Sequence, residues 1–440
     1  MSAAKILLIG EVVVDVTLQK PEKKLRLGGV LHAARGLWAL GVQYDLAYFA
    51  PDYIDGAVID QAGRLGATRI SKIGSIDGSP NVMLIGDPTE AGDQGYEHLL
   101  RDAHRVKLDE NVLFEAITRA DDVIILSGNF SLPEVLNVAS RHSAAIHTDL
   151  GSGPSAFTEL AVLGRPLRTL FLSTSSHAFS GIVDNMPTSA VEMVGKHADV
   201  VLLKENRGGA RLFTSSGTLT VGAQRRSIMH SVGVGDVFDS VYVALRNTHG
   251  SEEALHRASW IAAEYAATTF PDDFKHATEG CFEIAGAELM ALPSVRLGWE
   301  ARRGANIYIA APDFSYLDCS EVDKVAHCLR YHNFTPRLPV RENGQAKQGM
   351  SKAERSLMFA ADMALLEQCQ IVLAVLSYDD PGTYIEIGIA AGRNVPVIVY
   401  DPHRRANNVM LTELPNFISS SLEEIITAIF DIAARQIPES

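Results

Sequence analysis

Residues 377–400 read SYDDPGTYIEIGIAAGRNVPVIVY, and the order of residue types within them decides the fold class. The run just before, Ile371–Leu376, is short, apolar and β-branched, as a buried strand requires. Asp379, Asp380, Pro381 and Gly382 then impose a turn. A nearly apolar helix carrying Glu386 follows, and Val395–Tyr400 supplies a second buried strand. Strand, turn, helix and strand in that order predict a parallel α/β unit. In such sheets ligands collect beyond the carboxyl ends of the strands, where this acidic turn is expected to lie. Glu386 has a plain alternative as a solvent-facing helix residue, but its place between Ile385 and Ile387 in an apolar helix favours a site.

Working outward, the same alternation fills the chain. Strands are predicted at Ile6–Ile9, Asp122–Leu126, Ala145–Thr148, Thr169–Leu172, Val200–Leu203 and Asn306–Ala311. Helices are predicted at Leu31–Leu40, Leu132–Ser140, Val237–Arg246, Glu253–Thr269, Glu321–Tyr331, Lys352–Gln368 and Leu422–Arg435. The fold class is therefore α/β with mainly parallel sheets. At 440 residues the chain exceeds one ordinary core, so two domains are expected. The pattern weakens after the helix ending near residue 269, which places one domain at 1–295 and the other at 304–440. The polar segment Thr335–Gln348 is expected to be a loop.

Composition narrows the function classes. With 47% hydrophobic and 21% charged residues the chain has the profile of a compact globular protein. A formal charge of −14 argues against nucleic acid, whose binding relies on surplus Lys and Arg to displace counterions. The apolar run near the N-terminus is interrupted by Glu11 and Asp15, as in a buried strand and not a signal peptide. No stretch reaches the roughly 18 uncharged apolar residues of a membrane span. Cys281, Cys319, Cys328 and Cys369 lie far apart with no CxxC spacing, as in ordinary reduced thiols, so a cytoplasmic protein is expected. No metal-ligand cluster is legible.

Two stretches carry chemistry. In HSVGVGDVFDSVYVAL, residues 230–245, the glycine-bearing turn Gly233, Val234 and Gly235 precedes a helix. A turn of that kind aims several N–H groups at one point and the helix dipole adds attraction for an anion. Asp236, in the first turn, is placed to take a proton from a substrate hydroxyl while those N–H groups stabilise a transferring phosphoryl. The plainer alternative is a helix N-cap. In the C-terminal half, Asp379, Asp380 and Glu386 gather at one strand end.

Residues 5–290 resemble the ribokinase-like, PfkB-type sugar and nucleoside kinases. GEVVVDVT is similar to that family's first strand, and Asp15 matches the acid that holds substrate hydroxyls. GGVLHAARGLWALG resembles the first family signature, which implies that Gly28 and Gly29 lie at the substrate, with His32 where Asn is usual. GVGD resembles the second signature, G-A-G-D. Asp236 then matches the catalytic base, and Gly233, Val234 and Gly235 the anion hole. ATP and Mg²⁺ are implied by this resemblance alone. The chain departs from the family at His230, Ser231 and Val232. In STSSHAFSG no N-x-x-E element is legible, and KENRGGA at Lys204–Ala210 alters the T-x-G-x-x-G segment.

Residues 304–440 resemble the nucleoside 2-deoxyribosyltransferases, which have a Rossmann-like, flavodoxin-like fold. NIYIAAPDF is similar to the family's opening strand, with Tyr308 at the substrate. FAADMALLEQCQIVLAVL resembles the segment that brings in a substrate-binding Asp, here Asp362. The run from Asp380 to Glu386 matches D-x-G-T-x-x-E, in which Glu386 holds the nucleophile position. ANNVM resembles the late N-x-M element, so Asn408 and Met410 are implied to reach a neighbouring subunit's site. A homo-oligomer, dimer or higher, is expected for that reason. Asp362 or Asp380 is assigned to protonate and orient the leaving base. Arg337, Arg341, Arg404 and Arg405 are each candidates for binding a phosphate.

Together these readings predict a bifunctional enzyme acting on a small nucleoside, nucleotide or sugar, phosphorylating it with ATP in one half and breaking or transferring an N-glycosidic bond in the other. The alternative is a kinase-like nucleotide sensor that regulates an N-glycosidase.

Overall fold

The computed structural model describes residues 5–18, 25–77, 81–99, 105–126, 128–150, 157–268 and 270–437. The fold is α/β throughout and divides into two compact units. One is Met1–Thr89 with Gln94–Ser294, the other Glu90–Asp93 with Val295–Ser440.

The first unit is built on a ten-stranded sheet. Its centre is parallel and runs, in spatial order, through Ala198–Lys204, Leu167–Ser173, Ala145–Asp149, Asp122–Leu126, Ile6–Glu11, Tyr44–Ala50 and Ala67–Asp77. Strands Ala210–Thr214, Gly217–Val221 and Arg105–Leu108 add antiparallel edges. The central strands are buried along their length, as in Ile6–Glu11 and Asp122–Leu126, because helices on a parallel sheet leave neither face to water. Helix Val30–Ala39 buries Leu31, Ala34 and Leu37 against the long helix Val234–Ala267, which bends at Gly250 with φ 76°. The predicted end of that helix, Thr269, lies outside the described residues.

A separate four-stranded sheet, Leu25–Leu27, Val14–Thr17, Val82–Ile85 and Tyr96–His98, was not foreseen. It carries Asp15, which was expected on the first strand. The chain leaves the main sheet after Glu11 and re-enters extended structure at Val14 in the small one. The residues after 269, expected to be irregular, form helices Pro271–Glu283 and Gly286–Ala291. Pro271 starts the first of these at a position where its missing N–H costs nothing.

The second unit has a five-stranded, all-parallel sheet in the order Thr335–Arg337, Asn306–Ala310, Ile371–Val375, Val397–Tyr400 and Phe417–Ser419. Helix Leu422–Gln436 buries Ile425, Ile426, Ile429, Phe430 and Ala433 at helical spacing. Helix Lys352–Glu367 begins with a reciprocal capping box between Ser351 and Glu354, which satisfies two otherwise orphaned N–H donors. The expected loop Thr335–Gln348 instead contains strand Thr335–Arg337 and helix Pro339–Asn343. Three-residue strands and one-and-a-half-turn helices are too short to show a period, which is why the residue pattern concealed them.

Candidate active sites

In the first unit, Gly233 adopts φ 78° as the N-cap of helix Val234–Ala267, a left-handed conformation that favours glycine. The space beside it is closed as well, since a Cβ on Gly233 would lie 2.1 Å from His32 Cγ. Val234 and Gly235 form the first turn and Asp236 follows in that turn, so Asp236 is not the N-cap. Burial, reinforced by the charge of Asp149, pushes the Asp236 carboxyl up to about 7.

Asp15, His32 and Tyr265 form a buried chain beside this turn. His32 Nε2 lies 2.9 Å from Asp15 Oδ2 and Nδ1 lies 2.8 Å from the Tyr265 hydroxyl. Burial lowers the His32 pKa to about 4, so the neutral ring donates from Nε2 to Asp15 and accepts from Tyr265 at Nδ1. Gly28 is required there, because a Cβ on it would lie 2.1 Å from Asp15 Oδ2. Gly29, at φ 61°, is the N-cap of the helix that carries His32.

Sequence reasoning missed Lys204. It ends strand Ala198–Lys204 and its Nζ donates to Asp149 Oδ2 at 3.0 Å and to Asp239 Oδ2 at 2.6 Å. The two carboxylates hold the ammonium charged despite its burial, with its pKa raised above the usual value. Nζ would stand 3.2 Å from a Cβ on Gly235, so this cation underlies the start of the helix. A lysine closing an otherwise apolar strand, VVLLK, was the available signal.

In the second unit, Tyr308 projects from strand Asn306–Ala310 and its hydroxyl donates to Glu386 Oε1 at 2.6 Å. Glu386 stands on helix Pro381–Gly392, half-buried. Burial pushes its carboxyl up to about 7, with Asp362 and Asp380 adding repulsion and the Tyr308 hydrogen bond opposing them. Asp362, on helix Lys352–Glu367, accepts from Asn343 Nδ2 at 2.8 Å. Asn343 was missed because it lay in the segment expected to be a loop. Asp380 is the N-cap of Glu386's helix, and its Oδ2 accepts from the Thr383 amide and hydroxyl, both at 2.8 Å. It therefore fixes the helix that presents Glu386, and the carboxyl raised by this environment is Glu386 itself. Tyr308, Glu386, Asp362 and Asp380 thus act on one another at one end of the sheet.

Residues 307–419 match the model of the nucleoside 2-deoxyribosyltransferase family. The matched segment spans Tyr308, Asp362, Asp380 and Glu386, and also Asn408 and Met410. The last two do not join Glu386. They line a cleft with Tyr384, Ile387 and Gly388, on the flank of the helix opposite Glu386. Asn408 is itself a cap, its Oδ1 accepting the Met410 amide at 2.9 Å.

No curated protein matches the chain in sequence. Among solved structures, ribokinase from Thermotoga maritima is 14% identical, covering 64% of this chain and 100% of that one, with a TM-score of 0.47. Burkholderia thailandensis nucleoside kinase, in complex with ADP-inosine, is 12% identical over 63% of this chain and 96% of its own, with a TM-score of 0.49. Xylella fastidiosa fructokinase with bound ATP is 13% identical over 63% and 98%, with a TM-score of 0.48.

The ATP and Mg²⁺ implied by the kinase resemblance fare differently against these residues. The N–H groups at the start of helix Val234–Ala267 suit a phosphate. Asp236 stands in that turn, Asp149 and Asp239 each give one oxygen to Lys204, and among the described residues no cluster of three or more His, Cys, Asp or Glu is arranged for a metal. These residues do not fit a protein-held Mg²⁺.

Proposed function

We propose that residues 304–440 cleave or transfer the N-glycosidic bond of a nucleoside or nucleotide with Glu386 as nucleophile. The observation that supports this most directly is the 2.6 Å contact between Tyr308 and Glu386, which fixes a carboxylate oxygen at the carboxyl end of a parallel sheet. In the first step a Glu386 oxygen bonds to the anomeric carbon as the bond to the base nitrogen breaks, and the electron pair leaves with the base. Asp362, oriented by Asn343, faces the departing base and assists its protonation. In the second step a new base or water attacks the anomeric carbon, its N–H or O–H proton passes to Asp362, and Glu386 leaves as carboxylate. An acceptor base makes the reaction a transfer; water makes it a hydrolysis.

Asp380 acts through the helix, holding Glu386 in register. Leu357, Phe359 and Ile385 expose apolar side chains on the two helices that carry Asp362 and Glu386, at 72%, 62% and 61%. Exposed apolar side chains of this size favour coverage by a second copy of the chain.

For residues 1–295 we propose binding of a sugar or nucleoside at Asp15, Gly28, Gly29 and His32, with the phosphate of ATP at Gly233, Val234 and Gly235. Asp236 would take the proton from the attacking hydroxyl. A second reading, in which this half senses a nucleotide and regulates the glycosidic half, is favoured by Lys204, whose ammonium engages both Asp149 and Asp239, acids that a metal-dependent phosphoryl transfer would use. Incubation with nucleosides and Mg-ATP separates the two: phosphorylated product supports the kinase, binding without product the sensor. Release of free base from a nucleoside or nucleotide panel, abolished by Glu386→Gln, tests the glycosidic assignment itself.

A further inference from the structure

Helix Pro381–Gly392 presents Glu386 on one flank and closes a separate cleft with the other. The cleft has a volume of about 730 Å³ and is lined by Tyr384, Ile387, Gly388 and Leu411, with Arg404 and Arg405. Tyr384 and Gly388 each lie two residues from Glu386, about 200° of rotation along a helix of 3.6 residues per turn, so the two flanks face nearly opposite ways. The cleft is not an extension of its own subunit's Glu386 pocket.

The two arginines are distinguished by their place on the cleft, since Arg303, Arg330 and Arg355 of the same unit likewise have no acidic partner among the described residues. Arg337 pairs with Glu342 at 2.7 Å, Arg341 with Asp313 at 2.6 Å and Arg393 with Glu367 at 3.0 Å. Arg404 and Arg405 have no such partner among the described residues, in a chain of net charge −14. They are also held in place. Asp401, buried at the end of strand Val397–Tyr400, accepts the Arg405 amide at Oδ1 and the Ala406 amide at Oδ2, both at 2.8 Å. The Arg404 amide donates to the Asp401 carbonyl at 3.2 Å. The turn thus fixes the backbone from which two exposed guanidinium groups without an ion-pair partner project beside the cleft, the side chain best shaped for a phosphate.

The rest of the lining sets the other half of the ligand. Tyr384, Ile387 and Leu411 give an aromatic and apolar wall, and Asp379, which accepts from the Tyr384 hydroxyl at 2.8 Å, has a further oxygen for a sugar hydroxyl. The volume falls in the range of small-molecule sites.

We propose that this cleft binds a nucleoside 5′-monophosphate, its phosphate on Arg404 and Arg405 and its base against Tyr384, Ile387 and Leu411. The binding stands on this geometry; only its catalytic consequence rests on the glycosidic reading above. The nucleotide has two sources, the substrate of a neighbouring copy's Glu386 or a separate effector.

The test is calorimetric titration of the full chain with AMP, GMP, CMP and dTMP, and with the matching nucleosides. Wild type, Glu386→Gln, Arg404→Gln/Arg405→Gln and a control, Arg393→Gln, are compared. The expected result is at least one monophosphate that binds wild type and Arg393→Gln alike and still binds Glu386→Gln. The double variant loses that binding tenfold or more, and the nucleoside binds at least tenfold more weakly. Equal binding and stoichiometry in the double variant, or no monophosphate binding at all, overturns the proposal.

Base release measured on the same proteins separates the sources. Loss of kcat/KM for the monophosphate alone in the double variant identifies a substrate, while lost binding with unchanged release identifies an effector. If no protein releases base from any compound, the glycosidic reading fails and the titration still decides the cleft.

Discussion

The Tyr308 hydroxyl donates to Glu386 Oε1 at 2.6 Å, and this hydrogen bond opposes the burial that pushes the Glu386 carboxyl up to about 7. A nucleophilic carboxylate must be ionised, so base release should rise with pH through a midpoint near 7. In Tyr308→Phe the opposing hydrogen bond is gone and the midpoint should move to higher pH. A hydrogen bond to a charged group contributes about 1.5–3 kcal/mol, so at neutral pH kcat/KM should fall roughly ten- to hundredfold. A pH–rate profile of the variant checks both; an unmoved midpoint contradicts the assigned contact.

The same carboxyl makes a stability prediction. Its folded pKa lies above its unfolded value of about 4.5, so the folded state binds the extra proton between those pH values. Stability therefore falls as pH rises from about 4.5 through 7, and the ionised group costs about 2 kcal/mol at pH 8 after allowance for partial exposure. Glu386→Gln should remove that cost, stabilising the second unit at pH 8 and leaving it nearly unchanged at pH 4.5. Urea denaturation at the two pH values is the measurement.

Lys204 bonds to Asp149 and Asp239 inside the first unit. Lys204→Met leaves these carboxylates without their cation, and breaking one side of a buried ion pair costs about 3–5 kcal/mol. Asp239→Asn in the same background should restore part of the loss, since it removes one stranded charge. Denaturation of the single and double variants tests the coupling.

At Gly233, alanine would need φ 78° and would place its Cβ 2.1 Å from His32 Cγ. Gly233→Ala should displace the ring from Asp15 and Tyr265 and let it meet water. Its pKa should then climb from about 4 toward the ordinary value of about 6.5. Proton NMR of the histidine ring against pH reads this directly, provided the variant retains the native circular dichroism.

The parts of these candidate sites whose arrangement was legible in sequence are those whose neighbours are close along the chain. Asp380 and Glu386 belong to one turn and helix, and Gly233 to Asp236 to another, so short motifs sufficed. Asp15 was assigned to the first strand because its sequence stays apolar and β-branched past Glu11, and nothing local marks where the chain changes sheet. Lys204 and Asn343 were missed for a related reason. Each acquires its meaning from partners 19 to 55 residues away, and the segment holding Asn343 is too short to show a helical period. Asn408 and Met410 carry a resemblance that the geometry of a single chain does not complete, because the helix between them and Glu386 faces both ways.

The most direct test is to incubate wild type and Glu386→Gln with ribo- and deoxyribonucleosides and their monophosphates, following free base by chromatography and the denatured protein by mass. Wild type should release base and gain the mass of one sugar or sugar phosphate on the peptide carrying Glu386, and Glu386→Gln should do neither. Base release that persists in Glu386→Gln, or no release from any compound, would contradict the assignment of Glu386 as nucleophile.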